Sequence, residues 1–179
     1  MVIAVDMDNT LNNFTAGAID YALKIGVNYN NIQLPLKTWD IFSILYPDNT
    51  QIMADKIMST PGFWLDLEPY PHSEVTLKYL TRIATVAIVT KPWNNYNCIP
   101  EKMQWIRRNY PFFDLSNVVF TWNKDLVPAD YIIEDKPDNY KDLKGRKLIL
   151  FDQEYNRNEI CTQRVKSWKE IEEYFANIQ

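Results

Sequence analysis

The sequence predicts an α/β fold, a doubly wound and mainly parallel sheet with a small helical cap inserted after the first strand. Three observations indicate this fold. Short apolar runs alternate with segments of helical periodicity, a pair of aspartates follows the first apolar run, and a long aromatic-rich stretch separates that run from the next. Strands that alternate with helices usually pair in parallel, because each helical crossover returns the chain to the same edge of the sheet.

Five strands are predicted from short buried runs rich in β-branched and aromatic residues. They comprise residues 2–6, 84–90, 117–121, 131–134 and 147–151. Helices are predicted over residues 14–25, 51–58, 73–82 and 100–109, and a final helix follows the capping box Ser167–Glu170. Residues 28–35 are predicted to form a loop.

The connection after the first strand is too long to be a simple loop. Strand-to-helix connections usually run to about six residues, whereas this one extends from Asp6 to Ser73. Because the stretch contains its own helices and many aromatic residues, it is predicted to be a cap standing over the strand ends. The predicted catalytic core comprises residues 1–14 and 73–179, and the predicted cap comprises residues 15–72.

Composition excludes several classes of protein. The formal net charge is −4 and the basic residues are scattered, which argues against a nucleic-acid polymer as partner. No apolar run approaches the roughly 20 residues that span a bilayer, and the first strand leaves no room for a signal peptide. We therefore expect a cytoplasmic protein with no membrane partner. The sequence leaves the oligomeric state open, with a homodimer among the alternatives.

The cysteine, histidine and glycine residues narrow the chemistry further. Cys98 and Cys161 show no CxxC pattern and are interpreted as free thiols. His72 is the only histidine, so a zinc site built on several histidines is excluded. With four glycines and neither a Walker A loop nor a GxGxxG turn, phosphate binding would depend on side chains, a metal ion or helix N-termini.

Two carboxylates mark the end of the first predicted strand. Asp6 and Asp8 lie in the sequence Asp6-Met7-Asp8-Asn9-Thr10, at the edge where ligands bind in open α/β sheets. Because two nearby carboxylates repel each other, a cation or a shared proton is expected to compensate them. The alternative is an Asp-rich turn that closes a strand.

Polar residues also follow the other predicted strands. Thr90 ends the second strand, Lys124 follows the third, and Glu134 and Asp135 end the fourth. Taken singly, each has a simpler explanation: strand propensity for the threonine, a solvated loop for the lysine, and a turn for the acidic pair. Parallel strands nevertheless bring all these ends to one edge, so a single crevice is predicted to contain them.

This set of side chains is suited to phosphate-ester chemistry. Asp6, Asp8 and Asp135 supply the oxygen ligands that Mg²⁺ prefers. Asp6 is the predicted nucleophile and forms an aspartyl-phosphate, while Asp8 is the predicted general acid and base. The hydroxyl group of Thr90 and the ammonium group of Lys124 are predicted to hold the phosphate oxygens.

In these motifs the chain resembles the haloacid dehalogenase (HAD) superfamily of phosphatases. The matching motifs are the DxDxT sequence at residues 6–10, followed by Thr90, Lys124 and the pair Glu134-Asp135. Within the superfamily the chain is most similar to the 5'(3')-deoxyribonucleotidases. The positions that carry this similarity are residues 121–137, Phe14 and residues 61–63. The resemblance covers nearly the whole predicted core and agrees with a cap after the first motif.

The resemblance implies roles for particular residues. Asp6, the backbone carbonyl of Asp8, and Asp135 would bind Mg²⁺, and Glu134 would orient Lys124 or a metal-bound water molecule. Aromatic residues would stack on the base or form a wall beside the sugar; the candidates are Phe14, Trp39, Phe42, Phe63 and Trp64. Each of these aromatics could instead belong to the core of the cap.

Three positions depart from the better-known relatives. Lys91 stands where they carry a small hydroxyl residue, Trp122 where they carry arginine, and Glu134 where they carry aspartate. Lys91 and Trp122 are therefore candidate substrate contacts, and Lys91 could face a second phosphate or a different leaving group. The predicted function is a Mg²⁺-dependent phosphatase of nucleoside monophosphates. The alternatives are a phosphatase of another small metabolite and a non-catalytic binding domain.

Overall fold

A single parallel sheet of six strands forms the centre of the molecule. The computed structural model describes residues 1–27 and 36–178, so the predicted loop at 28–35 lies outside the described residues. The strands are β1 (Val2–Val5), β2 (Thr85–Thr90), β3 (Val118–Phe120), β4 (Tyr131–Glu134), β5 (Lys147–Phe151) and β6 (Gln163–Val165). Their order across the sheet is β3-β2-β1-β4-β5-β6, and every adjacent pair is parallel.

Six α-helices accompany the sheet in the described part of the chain. They are α1 (Phe14–Lys24), α2 (Ile41–Leu45), α3 (Thr50–Met58), α4 (Ser73–Ile83), α5 (Cys98–Asn109) and α6 (Trp168–Asn177). The side chain of Ser167 accepts a hydrogen bond from the backbone of Glu170 at the start of α6, as the capping motif predicts. No described helix is both long and apolar enough to cross a bilayer.

The predicted fold class is confirmed, and the differences are confined to short elements. All five predicted strands are present, but β6 was not predicted because its three residues at the sheet edge carry two polar side chains. Helix α2 was also missed, since five residues are too few to show a helical period. The aspartate before α2, Asp40, begins the helix by accepting a hydrogen bond from Ser43.

Apolar side chains form two main clusters that correspond to the sheet and to the inserted region. The sheet cluster contains fully buried residues of β1, β2, β4 and β5 together with the inward faces of α4, α5 and α6. The second cluster contains buried residues of α1, α2 and α3 and the aromatic pair Phe63 and Trp64. Cys98, at the start of α5, packs into this second cluster, so the inserted region rests on α5. The domain boundaries at residues 14 and 73 stay a prediction.

Candidate active site

The carboxyl ends of adjacent strands bring the predicted polar residues together. Strand β1 lies between β2 and β4, with Val5 in register with Ile88 and Ile133. The cavity above these strand ends has a volume of about 340 Å³, and its floor includes Asp6, Asp8, Lys124 and Asp135. Thr90 and Glu134 are fully buried at the same edge. The cavity therefore brings Asp6, Asp8, Lys124 and Asp135 together, whereas Thr90 and Glu134 are buried beside it and do not line it.

Asp6 is held by a buried lysine that also contacts a second acid. The ammonium group of Lys124 donates a hydrogen bond to Asp6 Oδ1 and another to Glu134 Oε2 at 2.7 Å. Burial acts to lower the pKa of Lys124, but the charges of Asp6 and Glu134 outweigh it and raise that pKa. Lys124 is therefore a permanent cation beside the predicted nucleophile.

Asp8 is held by a different lysine, which the sequence motifs did not reveal. Lys102, on α5, is fully buried and forms an ion pair with Asp8 Oδ2. Its ammonium group also donates to Thr90 Oγ1 at 2.8 Å and to the backbone carbonyl of Lys91 at 3.1 Å. All three donors of this ammonium group are thereby used. Because Thr90 Oγ accepts from Lys102, the proton of the Thr90 hydroxyl is left for another acceptor.

A signal for Lys102 was present in the helical pattern of α5. The buried residues of this helix are Cys98, Glu101, Lys102, Trp105 and Ile106, a spacing that places them on one face. A lysine on the inward face of an amphipathic helix needs a buried partner. That reasoning identifies Lys102 as a site candidate but does not identify its partner, since α5 lies far from Asp8 in sequence.

Three carboxylates at the floor form a group that suits a divalent cation. Asp6, Glu134 and Asp135 each offer an oxygen within 4.8 Å of the others. Burial, and then the charge of Glu134, raise the pKa values of Asp6 and Asp135, so ionising all three requires more positive charge than Lys124 alone provides. These hard oxygen donors fit Mg²⁺.

The position of the Asp8 side chain differs from its prediction as a metal ligand. The carboxylate of Asp8 lies with Lys102 rather than in the three-carboxylate group, because the buried ammonium group attracts it. The backbone carbonyl of Asp8 remains the predicted ligand. Glu134, for which only a supporting role was predicted, belongs to the group directly.

Asp135 is further positioned by residues that follow β5. The hydroxyl group of Tyr155 donates to Asp135 Oδ2 and accepts from the side-chain amide of Asn9 at 3.1 Å. Burial, and then the charge of Asp135, raise the pKa of Tyr155, so this hydroxyl remains a proton donor. The side-chain amide of Asn156 donates to the backbone carbonyl of Asp135 at 2.7 Å. Sequence motifs did not indicate any of these three partners.

Aromatic side chains form a wall of the same cavity. Six of the seven residues predicted to bind substrate line the cavity, namely Phe14, Trp39, Phe42, Trp64, Lys91 and Trp122. The rings of Phe14 and Trp64 stack with centroids 5.7 Å apart and an interplanar angle of 28°. Trp39 and Trp122 are more than half exposed, so parts of both rings remain accessible to a ligand.

Phe63 is the exception among the predicted substrate contacts. It is fully buried and packs edge-to-face against Phe14, Trp64 and Tyr21. The structure thus gives it a packing position behind the aromatic wall in place of the direct contact that the resemblance implied. The difference arises because aromatic residues build both the core of a cap and its ligand-facing surface.

Comparison with known proteins places the chain in a family. A model of the family described as 5' nucleotidase, deoxy (pyrimidine), cytosolic type C protein matches residues 1–179. The chain belongs to this family. It is therefore a hydrolase of phosphoric monoesters, as the motifs predict. A 5'(3')-deoxyribonucleotidase of Clostridium acetobutylicum is 32% identical over 94% of this chain and 91% of the relative. One of Bacillus subtilis is 32% identical over 96% of each chain.

Solved structures of the HAD superfamily share the fold of this nucleotidase-family chain. A haloacid dehalogenase-like hydrolase of Burkholderia xenovorans superposes with a TM-score of 0.64 at 15% identity, over 98% of this chain and 96% of that one. A HAD hydrolase of Bacillus subtilis, solved bound to magnesium, gives a TM-score of 0.60 at 15% identity over 97% of each chain. At these identities the likeness concerns the fold alone, and it confirms the predicted fold class.

Proposed function

We propose that this chain hydrolyses nucleoside monophosphates, with deoxyribonucleotides preferred, in a Mg²⁺-dependent reaction through an aspartyl-phosphate at Asp6. One observation carries the proposal: Asp6 and Asp8 face the same cavity as an aromatic wall. The carboxylates supply the chemistry of phosphate transfer, and the flat rings suit a nucleobase. The similarity to the 5'(3')-deoxyribonucleotidases of Clostridium acetobutylicum and Bacillus subtilis supports this substrate class.

The first step is an attack of Asp6 on phosphorus. A carboxylate oxygen of Asp6 forms a bond to phosphorus while the bond from phosphorus to the ester oxygen breaks. Lys124, a permanent cation that is paired with Asp6 Oδ1, stabilises negative charge on the phosphoryl oxygens. The proton of the Thr90 hydroxyl, left available by Lys102, is a second donor to these oxygens.

Asp8 transfers the protons in both steps. In the first step Asp8 reacts as the carboxylic acid and donates its proton to the departing ester oxygen, which leaves as the nucleoside hydroxyl group; the second step regenerates this acid. In the second step Asp8 takes a proton from the water molecule that attacks phosphorus, and the bond between phosphorus and Asp6 breaks. Lys102 and Asn12 hold the two oxygens of Asp8, Asn12 at 3.2 Å, so its carboxyl group keeps one orientation through the cycle.

The carboxylates at the floor would hold Mg²⁺. Asp6, Asp135 and the backbone carbonyl of Asp8 are the proposed ligands, with Glu134 close to them. When bound, the ion supplies positive charge that offsets the repulsion between the anionic carboxylates and the anionic phosphate. The bond to phosphorus and the proton transfers are made by residues of the protein.

The size and lining of the cavity support a mononucleotide as substrate. A volume of about 340 Å³ lies at the small end of the range for ligand pockets, which runs from about 300 to 1,000 Å³. Phe14, Phe42, Trp64 and Trp39 provide apolar surface in the cavity that Asp6 also lines. A nucleobase on this wall would leave its phosphate directed to the floor.

A substrate panel tests the proposal. Deoxyribo- and ribonucleoside 3'- and 5'-monophosphates would be compared with sugar phosphates in the presence of Mg²⁺, and the Asp6→Asn variant would control for contaminating phosphatases. We expect kcat/KM for the best deoxyribonucleotide to exceed that for every sugar phosphate by at least about tenfold, since base stacking adds binding free energy. A sugar phosphate hydrolysed more efficiently than every nucleotide would overturn the proposal.

A further inference from the structure

Two lysines of the cavity take no part in the pairing of the floor. Lys91 follows Thr90 at the end of β2, Lys136 follows Asp135 at the end of β4, and both line the cavity. They therefore flank β1 from its two sides. Among residues 1–27 and 36–178, no carboxylate lies within 4.0 Å of either ammonium group. Lys102 and Lys124, in contrast, are both paired with carboxylates.

Neutral groups hold both of these ammonium groups in place. Lys91 Nζ donates to the side-chain carbonyl of Asn139 at 2.7 Å. The amide nitrogen of Asn139 donates in turn to Glu134 Oε1 at 3.0 Å, and this fixes the carbonyl toward Lys91. Lys136 Nζ lies 3.0 Å from the centroid of the Trp39 ring. An amide and an aromatic face position a cation without neutralising its charge.

Lys91 and Lys136 line one cavity, and the groups in direct contact with their ammonium nitrogens are neutral. An anionic ligand would provide the direct ion pair that each of them lacks among the described residues. Lys91 uses one of its three donors in the described contacts, so two remain for such a ligand.

The position of Lys136 differs from that of the reacting phosphate. The phosphoryl group that Asp6 attacks must lie against the floor, next to Lys124. Lys136, however, contacts Trp39 of the aromatic wall, so its ammonium group lies toward the cap side of the cavity. An anion bound there is distinct from the group that Asp6 attacks.

We propose that Lys91 and Lys136 form a second anion subsite, which accepts a phosphate on the substrate other than the one being hydrolysed. The inference rests on the proposed function and specifies it: a nucleoside 3',5'-bisphosphate binds better than the corresponding monophosphate. Hydrolysis consumes one water molecule and yields inorganic phosphate and a nucleoside monophosphate. The same two lysines would recognise a second phosphate elsewhere on the substrate if it lies at a similar distance from the phosphate being hydrolysed.

Steady-state kinetics on matched substrates tests the subsite. One deoxyribonucleoside would be supplied as its 5'-monophosphate and as its 3',5'-bisphosphate, at constant ionic strength. For the unmodified protein we expect kcat/KM to favour the bisphosphate by about tenfold or more, because charge-assisted hydrogen bonds to a phosphate are strong. The ratio should fall to about one in the double variant Lys91→Met/Lys136→Met.

A matched control separates the subsite from general electrostatics. Lys169 is exposed on α6, so Lys169→Met lowers the net charge by as much as Lys91→Met or Lys136→Met alone. It should keep the preference for the bisphosphate, which each of those two single variants should reduce. If the unmodified protein hydrolyses the monophosphate and shows no preference for the bisphosphate, the subsite is refuted while the proposed function stands. If it hydrolyses neither nucleotide, the proposed function itself fails. An equal loss of preference in Lys169→Met would also refute the subsite.

Discussion

The floor and the wall of the cavity are built on different physical principles. On the floor, most charged groups are buried and each carboxylate has a specific donor: Lys124 for Asp6 and Glu134, Lys102 for Asp8 and Tyr155 for Asp135. On the wall, aromatic rings from the inserted region pack against one another with few polar contacts.

This difference determines how each region responds to change. A buried charge that loses its partner pays a large desolvation penalty, so the floor depends on individual atoms. Apolar packing is distributed over many weak contacts, so a single ring at the wall surface can be replaced at small cost. We therefore expect substitutions on the floor to change the reaction rate and substitutions on the wall to change binding or stability.

The pair formed by Asp8 and Lys102 should show the largest effect. We expect Asp8→Asn to lower kcat by about 10³-fold, because it removes the proton donor and acceptor. Lys102→Met should lower kcat by about 10²-fold, since both Asp8 and Thr90 lose their common partner. Asn12→Ala removes a neutral contact to Asp8 and is the matched control. It should lower kcat by less than tenfold. Nearly full activity in Asp8→Asn would reject its assigned role.

Tyr155, the hydrogen-bond partner of Asp135, is expected to affect the affinity of the floor for a metal ion. We expect Tyr155→Phe to weaken binding of Mg²⁺ by about 10- to 100-fold, because groups that orient a metal ligand have effects of this size. Titration with Mn²⁺ followed by electron paramagnetic resonance would measure the affinity without relying on turnover. Tyr70→Phe is the control, since the Tyr70 hydroxyl contacts Gln153 and not Asp135. Equal affinities in the two variants would contradict the assignment.

Two aromatic residues of the inserted region should behave oppositely. Phe63→Ala should lower the free energy of unfolding by about 3–5 kcal/mol, the usual cost of deleting a fully buried ring. Trp39→Ala should leave the free energy of unfolding within about 1 kcal/mol of the original value, yet raise KM roughly 2- to 10-fold through lost stacking. Denaturation curves and KM values for both variants check this. Ile52→Ala, at another exposed position, is the control. If Trp39→Ala changes KM no more than this control does, Trp39 does not belong to the binding surface.

The raised pKa values at the floor predict the pH dependence of stability. Asp6 and Asp135 bind protons more tightly in the folded protein than in the unfolded chain, whose aspartate value is 3.8. Without metal, their contribution to stability is therefore greatest below 3.8 and is lost as pH rises through the raised values. Mg²⁺ binds the ionised carboxylates, so the rise in Tm on adding it should be largest near about pH 8 and shrink toward 3.8. Thermal melts with and without Mg²⁺ measure this, and a pH-independent rise would be inconsistent with binding at these acids.

The sequence alone was sufficient to predict the site residues that directly follow a predicted strand. Asp6, Thr90, Lys124 and Asp135 could be located because parallel strands bring their carboxyl ends together. Lys102 was missed because a residue on a crossover helix carries no such positional rule. Tyr155 was missed for a related reason, since it lies in a short turn after β5 that has no motif.

The wall was harder to predict, because aromatic side chains carry no information about which face they present. Phe63 and Trp64 are adjacent in sequence, and only the tertiary packing decides that Trp64 lines the cavity while Phe63 lies behind it. The prediction of the inserted region, in contrast, followed from the length of the connection together with its helices and aromatic residues. Its short helix α2 depends on a local cap at Asp40, and the polar edge strand β6 depends on pairing with β5.

Covalent attachment of phosphate to Asp6 is the central claim, and peptide mass mapping after a rapid acid quench tests it most directly. The protein would be mixed with Mg²⁺ and saturating deoxyribonucleoside monophosphate, quenched during turnover and digested. We expect a phosphoryl group on the peptide that contains Asp6, and none on that peptide in the Asp6→Asn variant. Phosphate carried by a different residue, or an Asp6→Asn variant that still turns over substrate at the original rate, would contradict the account.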